Sequence, residues 1–239
     1  MKNLLFCIMC LAPSISFSSV SITGTRVIYD EADRSVTVKL TNQGNTTSIV
    51  QAWIDDKMTN QAPSDGSSPF ILYPAVSKII GGGEQYLRIK KIDNIKNSEV
   101  ESLYWLNVKD IPEAPKETEK NHLQFSILTK IKLFYRPSSL KNKVNDIYND
   151  LFWSVEKRNG GIYLIAKNNS NYYISMTEIK LKSSTQKMPL EMIAPKSSAE
   201  WILKNITLLD IKSGQAEYGA VNDYGTVIYR PIKINGVFD

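Results

Sequence analysis

Apolar and polar residues alternate with a period of two along most of the chain, and a helical period of 3.6 is nearly absent over any long window. In the first part of the chain this alternation predicts short strands near residues 20–27, 35–40, 49–54, 70–72, 85–90, 102–109 and 123–135. Loops rich in Gly, Pro, Asn and Ser separate several of these segments. Seven short strands at this spacing are typical of an immunoglobulin-like sandwich.

The alternation stops after Ser139 and starts again near residue 150, which predicts a second β domain. We place an N-terminal domain at 19–139, a linker at 140–149 and a C-terminal domain at 150–239. Asn159-Gly160 favours a hairpin with a primed turn, because both residues accept positive φ angles. Further strands are predicted near residues 152–155, 162–165, 173–181, 199–203, 215–221 and 226–234. The chain is therefore expected to be all-β.

The first residues have the three-part form of a secretory signal peptide. Lys2 precedes an apolar stretch at 4–11, and small residues follow at 14–18. We expect cleavage after Ser18 and an exported product with no membrane insertion, because the apolar stretch is shorter than the roughly 20 residues that span a bilayer. Both cysteines, at positions 7 and 10, lie in the segment that is removed, so no disulfide is expected in the mature chain.

Composition argues against a nucleic-acid partner. The 239 residues carry a formal net charge of +5, but lysines and acidic residues are mixed, as at 116–120. No basic stripe is interleaved with aromatic residues that could stack on bases. The hydrophobic fraction of 42% is enough for a core that needs no disulfide.

Residues that carry catalysis or bind metals are scarce. His122 is the only histidine, so catalytic triads and histidine-rich metal sites are not expected. The glycines at 81–83 lack the following lysine of a phosphate-binding loop. No Gly-x-Ser-x-Gly segment is present. We therefore expect no enzyme activity, no cofactor and no metal.

Several segments are specific enough to suggest a family. They read Gly-Thr-Arg-Val-Ile-Tyr, Gln-Ala-Trp-Ile-Asp, Glu-Ser-Leu-Tyr-Trp-Leu-Asn-Val, Lys-Ile-Lys-Leu-Phe-Tyr-Arg-Pro and Asn-Asp-Tyr-Gly, at 24–29, 51–55, 101–108, 130–137 and 222–225. In this order and spacing they resemble the PapD-like periplasmic chaperones of the chaperone–usher pathway. The resemblance implies two immunoglobulin-like β-sandwich domains in a boomerang arrangement, in the periplasm. It also implies pilus (fimbrial) subunits and an outer-membrane usher as partners.

The resemblance assigns the subunit-binding residues. Arg26 and Lys132 would bind the terminal carboxylate of a pilus subunit, whereas by pattern alone they would be solvated surface cations. Leu123, Phe125 and Ile127 would belong to a donated strand that fills a groove in a subunit lacking its own final strand. By pattern alone, these three side chains would pack into the chain's own sandwich, and the resemblance favours donation.

The remaining implied features concern the domain interface and the subclass. Glu101, Arg136 and Asp223 would form an ionic network between the domains, the alternative being three separate surface charges. The short, charged connection at 112–122 resembles the short-loop subclass. Self-association of the free protein through the exposed strand is left open. The main alternative function is a secreted β-sandwich module that binds carbohydrate or another surface ligand, and an enzyme on the same scaffold is a weaker one.

Overall fold

A computed structural model describes residues 20–56, 68–92, 95, 99–113, 124–140, 144–182, 185, 187–204 and 206–238. The predicted signal peptide, His122 and Leu123 lie outside the described residues. No helix in the described ranges is long and apolar enough to cross a membrane.

The first half of the described chain folds into two packed sheets. Its strands are β1 (Val20–Ile22), β2 (Arg26–Asp30), β3 (Val36–Asn42), β4 (Ser48–Asp55), β5 (Phe70–Tyr73), β6 (Val76–Ile79), β7 (Glu84–Lys91), β8 (Ser102–Pro112) and β9 (Ile127–Arg136). One sheet has the order β1-β3-β7-β5, and the other has the order β2-β9-β8-β4-β6. All pairings are antiparallel except that of β2 with β9, which is parallel. The core between the sheets includes the fully buried Leu40, Leu87, Leu106 and Leu133.

The segment predicted as one strand at 20–27 is two strands in different sheets. β1 pairs with β3, whereas β2 pairs with β9 in the opposite sheet. Gly24, with a φ of +90°, lies between them and supplies a backbone conformation that other residues rarely adopt. Alternation predicts a strand but not its partner, so this crossing was invisible in the sequence pattern.

The second half forms another pair of sheets. Its strands are β10 (Leu151–Arg158), β11 (Gly161–Asn168), β12 (Met176–Leu181), β13 (Lys187–Pro189), β14 (Ser198–Ile202), β15 (Ala216–Val221), β16 (Val227–Pro231) and β17 (Ile234–Phe238). The sheets have the orders β14-β11-β10-β17 and β13-β12-β15-β16. Trp153 lies in their core, with its ring centroid 5.2 Å from that of Tyr218.

Short helical segments lie outside the sheets. Two 3₁₀ turns, Ser138–Leu140 and Val144–Asp150, connect the two halves where a polar linker was predicted, and Leu140 is buried there. A short helix, α1 (Leu208–Lys212), begins at a capping box in which Thr207 and Asp210 exchange hydrogen bonds.

Several strand predictions need correction. The hairpin at Asn159-Gly160 forms, but its turn is not primed, because Gly160 has a positive φ of +111° and Asn159 does not. In the described part of the predicted segment 123–135 the strand is Ile127–Arg136, and the predicted segment 226–234 holds β16 and the first residue of β17. β6, β13 and α1 were not predicted, because each has five residues or fewer and so shows too little periodicity.

A buried asparagine closes the same kind of turn in both sandwiches. Asn42 ends β3 and Asn168 ends β11, and both are fully buried. In each, Nδ2 donates to the carbonyl four residues later, at 2.8 and 2.7 Å, and Oδ1 accepts from the N–H two residues later, at 3.0 Å. The turn after Asn168 is therefore fixed, and it carries residues that contact the first sandwich.

Candidate functional site

Two cations lie side by side where β2 begins. Arg26 is the first residue of β2 and is directly opposite Lys132 of β9. Both side chains are half-buried. Since residues directly opposite each other in a sheet project from the same face, the parallel pairing brings the two cations together.

These two cations are held without a carboxylate partner among the described side chains. Arg26 Nη1 donates to the Val221 carbonyl at 3.2 Å, and its guanidinium carbon lies 5.9 Å from the centroid of the Phe134 ring. Arg26 Nε is buried without a hydrogen-bond partner. Burial lowers the pKa of Lys132, and the nearby Arg26 charge lowers it further. The pair is thus suited to an anionic ligand.

Next to these cations, β2 pairs with only part of β9. The pairing of β2 with β9 runs from Lys132 to Arg136. Ahead of Lys132, Ile127, Leu128 and Thr129 pair with β8 on one side, and β2 does not extend along the other. Within the described residues, no strand therefore pairs with this side of β9 ahead of Lys132.

The first half of β9 exposes apolar side chains. Leu133 and Tyr135 face the core and are buried. Ile127, on the same face of β9, is 42% exposed. Phe125, in the segment just before β9, is 68% exposed. Exposed apolar side chains therefore extend beyond the end of the protein's own core.

The structure brings Glu101, Arg136 and Asp223 together. Arg136 Nη2 and Nε donate to Glu101 Oε1 at 2.8 and 3.1 Å. Arg136 Nη1 and Nη2 donate to Asp223 Oδ2 and Oδ1 at 2.8 and 3.1 Å. Glu101 also accepts from the backbone N–H of Tyr173 at 2.9 Å, and its own N–H donates to the Asn171 carbonyl at 2.9 Å. Two residues of the first sandwich therefore contact two segments of the second.

Burial disfavours the charged forms of the side chains in this cluster. It raises the pKa of Glu101, and the adjacent Arg136 charge offsets part of that effect. For Arg136, burial is outweighed by hydrogen bonds and charge from Asp223 and Glu101, which raise its pKa above the ordinary value. Because desolvation consumes much of the attraction, we expect the cluster to define geometry more than it adds stability.

The turn between β15 and β16 lies close to the first sandwich. Gly225, with a φ of +83°, lies so near Thr25 that a Cβ on this glycine would be 2.5 Å from Thr25 Oγ1. The Phe134 and Tyr173 rings, 5.8 Å apart, add an apolar contact between the halves.

A cavity of about 340 Å³ opens between the two sandwiches. Arg26, Glu101, Arg136 and Asp223 line it, whereas Lys132 is not among its lining residues. Its other lining side chains were missed, because only the fold brings their segments to this place. They include Tyr148, Tyr173, Tyr224, Ile228 and Arg230. Of these, Tyr224 carried a signal, since it lies within the Asn-Asp-Tyr-Gly segment.

Comparison with known proteins identifies the family. Residues 19–141 match the family described as Pili and flagellar-assembly chaperone, PapD N-terminal domain. Residues 146–230 match Pili assembly chaperone PapD, C-terminal domain. The chain belongs to the PapD family of pilus-assembly chaperones. This membership confirms the resemblance and, together with the two sandwiches, the predicted fold class. The PapD family is one of chaperones and not of enzymes.

Relatives agree with this assignment. The probable fimbrial chaperone YehC of Escherichia coli K12 is 33% identical over 232 residues, which cover 95% of this chain and 92% of YehC. The chaperone protein FimB/FhaD of Bordetella pertussis is 36% identical over 227 residues, which cover 91% of this chain and 88% of that protein.

Solved structures of PapD-like chaperones superpose well on this chain. The CupB2 chaperone of Pseudomonas aeruginosa has a TM-score of 0.71 at 28% identity, covering 90% of this chain and all of CupB2. The periplasmic chaperone SfaE has a TM-score of 0.65 at 28% identity, covering 92% of this chain and all of SfaE. The SafB chaperone of Salmonella enterica was solved in complex with the SafA pilin. The matched chain of that structure has a TM-score of 0.72 at 24% identity, covering 91% of this chain and 96% of the other, which shows the fold.

Proposed function

We propose that this PapD-like protein is a periplasmic chaperone that binds and stabilises pilus subunits by donor-strand complementation and delivers them to an outer-membrane usher. The uncovered half of β9 would lie against a subunit that lacks its final strand. The predicted signal peptide at 1–18 and the family membership support a periplasmic location.

The observation that carries this proposal is that, within the described residues, no strand pairs with one side of β9 ahead of Lys132, directly beside two cations that have no carboxylate within ion-pair distance. An exposed edge offers backbone donors and acceptors to a further strand. Phe125 and Ile127 would enter the subunit groove, and Leu123 is proposed to do the same. Each apolar side chain buried in this way contributes roughly 1.5–3 kcal/mol before the costs of association.

Arg26 and Lys132 would bind the terminal carboxylate of the subunit. Arginine offers a bidentate fork and lysine a compact charge, and a hydrogen bond to a charged group contributes about 1.5–3 kcal/mol. Fixing one end of the subunit strand also fixes its register, because a slip of one residue would turn every apolar side chain away from its groove.

Glu101, Arg136 and Asp223 are proposed to set the angle between the domains, since their hydrogen bonds join the first sandwich to the second. The short-loop subclass remains a prediction from the sequence at 112–122.

The test is export of the protein together with candidate pilus subunits, followed by purification. We expect a stable one-to-one complex. Arg26→Ala and Lys132→Ala should each abolish it without changing thermal unfolding of the free chaperone by more than a few degrees. Arg158→Ala is the matched control, because Arg158 is an exposed cation of the second sandwich that pairs with Glu156 and Glu200.

Unaltered subunit binding by both Arg26→Ala and Lys132→Ala would show that these two cations do not bind the terminal carboxylate. Retention on a carbohydrate matrix without any subunit complex would instead favour a secreted binding module.

A further inference from the structure

Arg230 is a further cation in the cleft, and the family resemblance assigns no role to it. It is the fourth residue of β16, an edge strand of the second sandwich. Ile228, two residues earlier on the same face, lines the cavity with it. Arg230 therefore faces the space that a subunit would occupy.

Local contacts hold the Arg230 side chain in place. Its guanidinium carbon lies 4.3 Å from the centroid of the Tyr148 ring, within the range of a cation–π contact. Tyr148 belongs to the 3₁₀ turn Val144–Asp150 and is partly buried against the second core. Arg230 Nε is buried with no hydrogen-bond partner. The guanidinium is thus preoriented, and part of its donor capacity is unused.

The charges of the cavity leave Arg230 without a carboxylate. Among the described lining residues there are three arginines, and Glu101 and Asp223 are the acidic ones. Both of these carboxylates are within hydrogen-bonding distance of Arg136. No described carboxylate lies within ion-pair distance of Arg26 or Arg230. If Arg26 takes the terminal carboxylate of a subunit, Arg230 still lacks an anion.

We propose that Arg230, stacked on Tyr148, is a second anion-binding point of the cleft and takes an acidic side chain near the C-terminus of the bound subunit. This inference rests on the proposed function and adds a preference to it. The chaperone selects subunits whose last residues include a carboxylate in addition to the terminal one. Tyr148 is a positioning residue, because its ring orients the guanidinium.

The test uses synthetic peptides of alternating valine and threonine that end in a free carboxylate. One set carries Glu at each of the last few positions in turn, and the matched set carries Gln there. Isothermal titration of the full-length mature chaperone should show, at one position, about tenfold tighter binding of the Glu peptide. Arg230→Gln should bring this ratio to about one while leaving binding of the Gln peptides unchanged.

Variants of Tyr148 test whether its ring orients the Arg230 guanidinium or only contributes to folding. Tyr148→Phe keeps the ring and should keep the Glu/Gln ratio. Tyr148→Leu removes the ring and should lower the ratio, with little effect on the Gln peptides. An equal loss for both peptide sets in Tyr148→Leu would mean a structural role only and would contradict the positioning claim.

Peptides with an amidated C-terminus separate this inference from the proposed function. If wild-type protein prefers the free acid over the amide but shows no Glu/Gln preference at any position, the Arg230 inference is wrong. The proposed binding of the terminal carboxylate by Arg26 and Lys132 would still be supported. A Glu/Gln ratio that persists in Arg230→Gln also overturns it. If no free-acid peptide binds, the proposed function itself is contradicted and the inference falls with it.

Discussion

Lys132, which we propose binds the subunit carboxylate, lowers the stability of the free protein. Its ammonium group is half-buried beside another cation, and both burial and the Arg26 charge lower its pKa from the ordinary 10.5. For a group whose pKa is lowered by folding, the charged form is disfavoured in the folded state. At neutral pH the charge of Lys132 therefore destabilises the free chaperone, and an incoming carboxylate would relieve that cost.

We predict that Lys132→Met raises the melting temperature of the free protein at neutral pH by up to about 2 °C and abolishes subunit binding. The gain should shrink as the pH rises through the lowered pKa of Lys132 and should vanish near 10.5, where the lysine is neutral in both the folded and the unfolded states. Thermal unfolding of both proteins at a series of pH values measures the gain in melting temperature.

Lys78→Met is the control for this prediction, because Lys78 is exposed on β6. The stability of the Lys78→Met variant should change little. A Lys132→Met variant that is less stable than wild type at neutral pH would show that the ammonium group has a stabilising contact in the free protein.

At the scale of the element, β9 combines a core strand with an exposed edge. Its second half lies between β2 and β8, whereas its first half has β8 on one side and extends beyond β2 on the other. The covered half makes the uncovered half rigid, which lowers the entropic cost of adding a further strand.

We predict that Ile127→Ser weakens subunit binding by roughly tenfold or more, because a buried isoleucine contributes about 1.5–3 kcal/mol and tenfold corresponds to 1.4 kcal/mol. Its thermal unfolding should change little, since Ile127 is already 42% exposed in the free protein. Titration of the variant against a pilus subunit gives the affinity.

Ile71→Ser is the matched control, because Ile71 is a similarly exposed isoleucine, at 48%, on β5 of the opposite sheet. It should bind subunits like wild type. Equal losses in both variants would point to a general loss of apolar surface and not to donation by β9.

The sequence predicts where the strands lie better than it predicts which strands pair with each other. Alternation located most strands, because a strand with one buried face must alternate whatever its neighbours are. It did not predict that residues 20–27 divide between two sheets, or that β2 covers only half of β9, because both depend on pairing between distant segments.

The same limit applies to the cleft. Arg26 and Lys132 were assigned as candidates because they belong to family segments, and the structure places them opposite each other. Arg230 belongs to no such segment. It becomes notable only once β16 lies against the 3₁₀ turn that carries Tyr148, a contact between residues far apart in sequence.

At the scale of the whole molecule, the two sandwiches have separate cores and meet through a small number of specific contacts. Besides the Arg136 cluster, Arg26 donates to the Val221 carbonyl, and Gly225 lies against Thr25. Both of these contacts involve β15 or the turn that follows it. Because the cleft is formed by both sandwiches, its shape depends on how closely this turn approaches residues 25–26.

We predict that Gly225→Ala changes the angle between the sandwiches and weakens subunit binding. The new Cβ would be 2.5 Å from Thr25 Oγ1, so either the turn or the Thr25 side chain must shift. We expect the turn to move away from the first sandwich. Small-angle scattering should show an altered distance distribution for the free protein. Thr25→Gly in the same chain removes the obstructing side chain and should restore the wild-type profile.

Gly225→Ala also introduces backbone strain, because its φ is +83°. Gly214→Ala controls for that effect, since Gly214 has a φ of +73° and an added Cβ there meets nothing within 4 Å. The control should lose some stability yet keep its scattering profile and its subunit affinity. If Gly225→Ala behaves like Gly214→Ala, or if Thr25→Gly fails to rescue it, the approach of this turn to Thr25 does not set the cleft. The orientation of the sandwiches would then depend on the Arg136 cluster, and Arg136→Met would be the variant that changes the scattering profile.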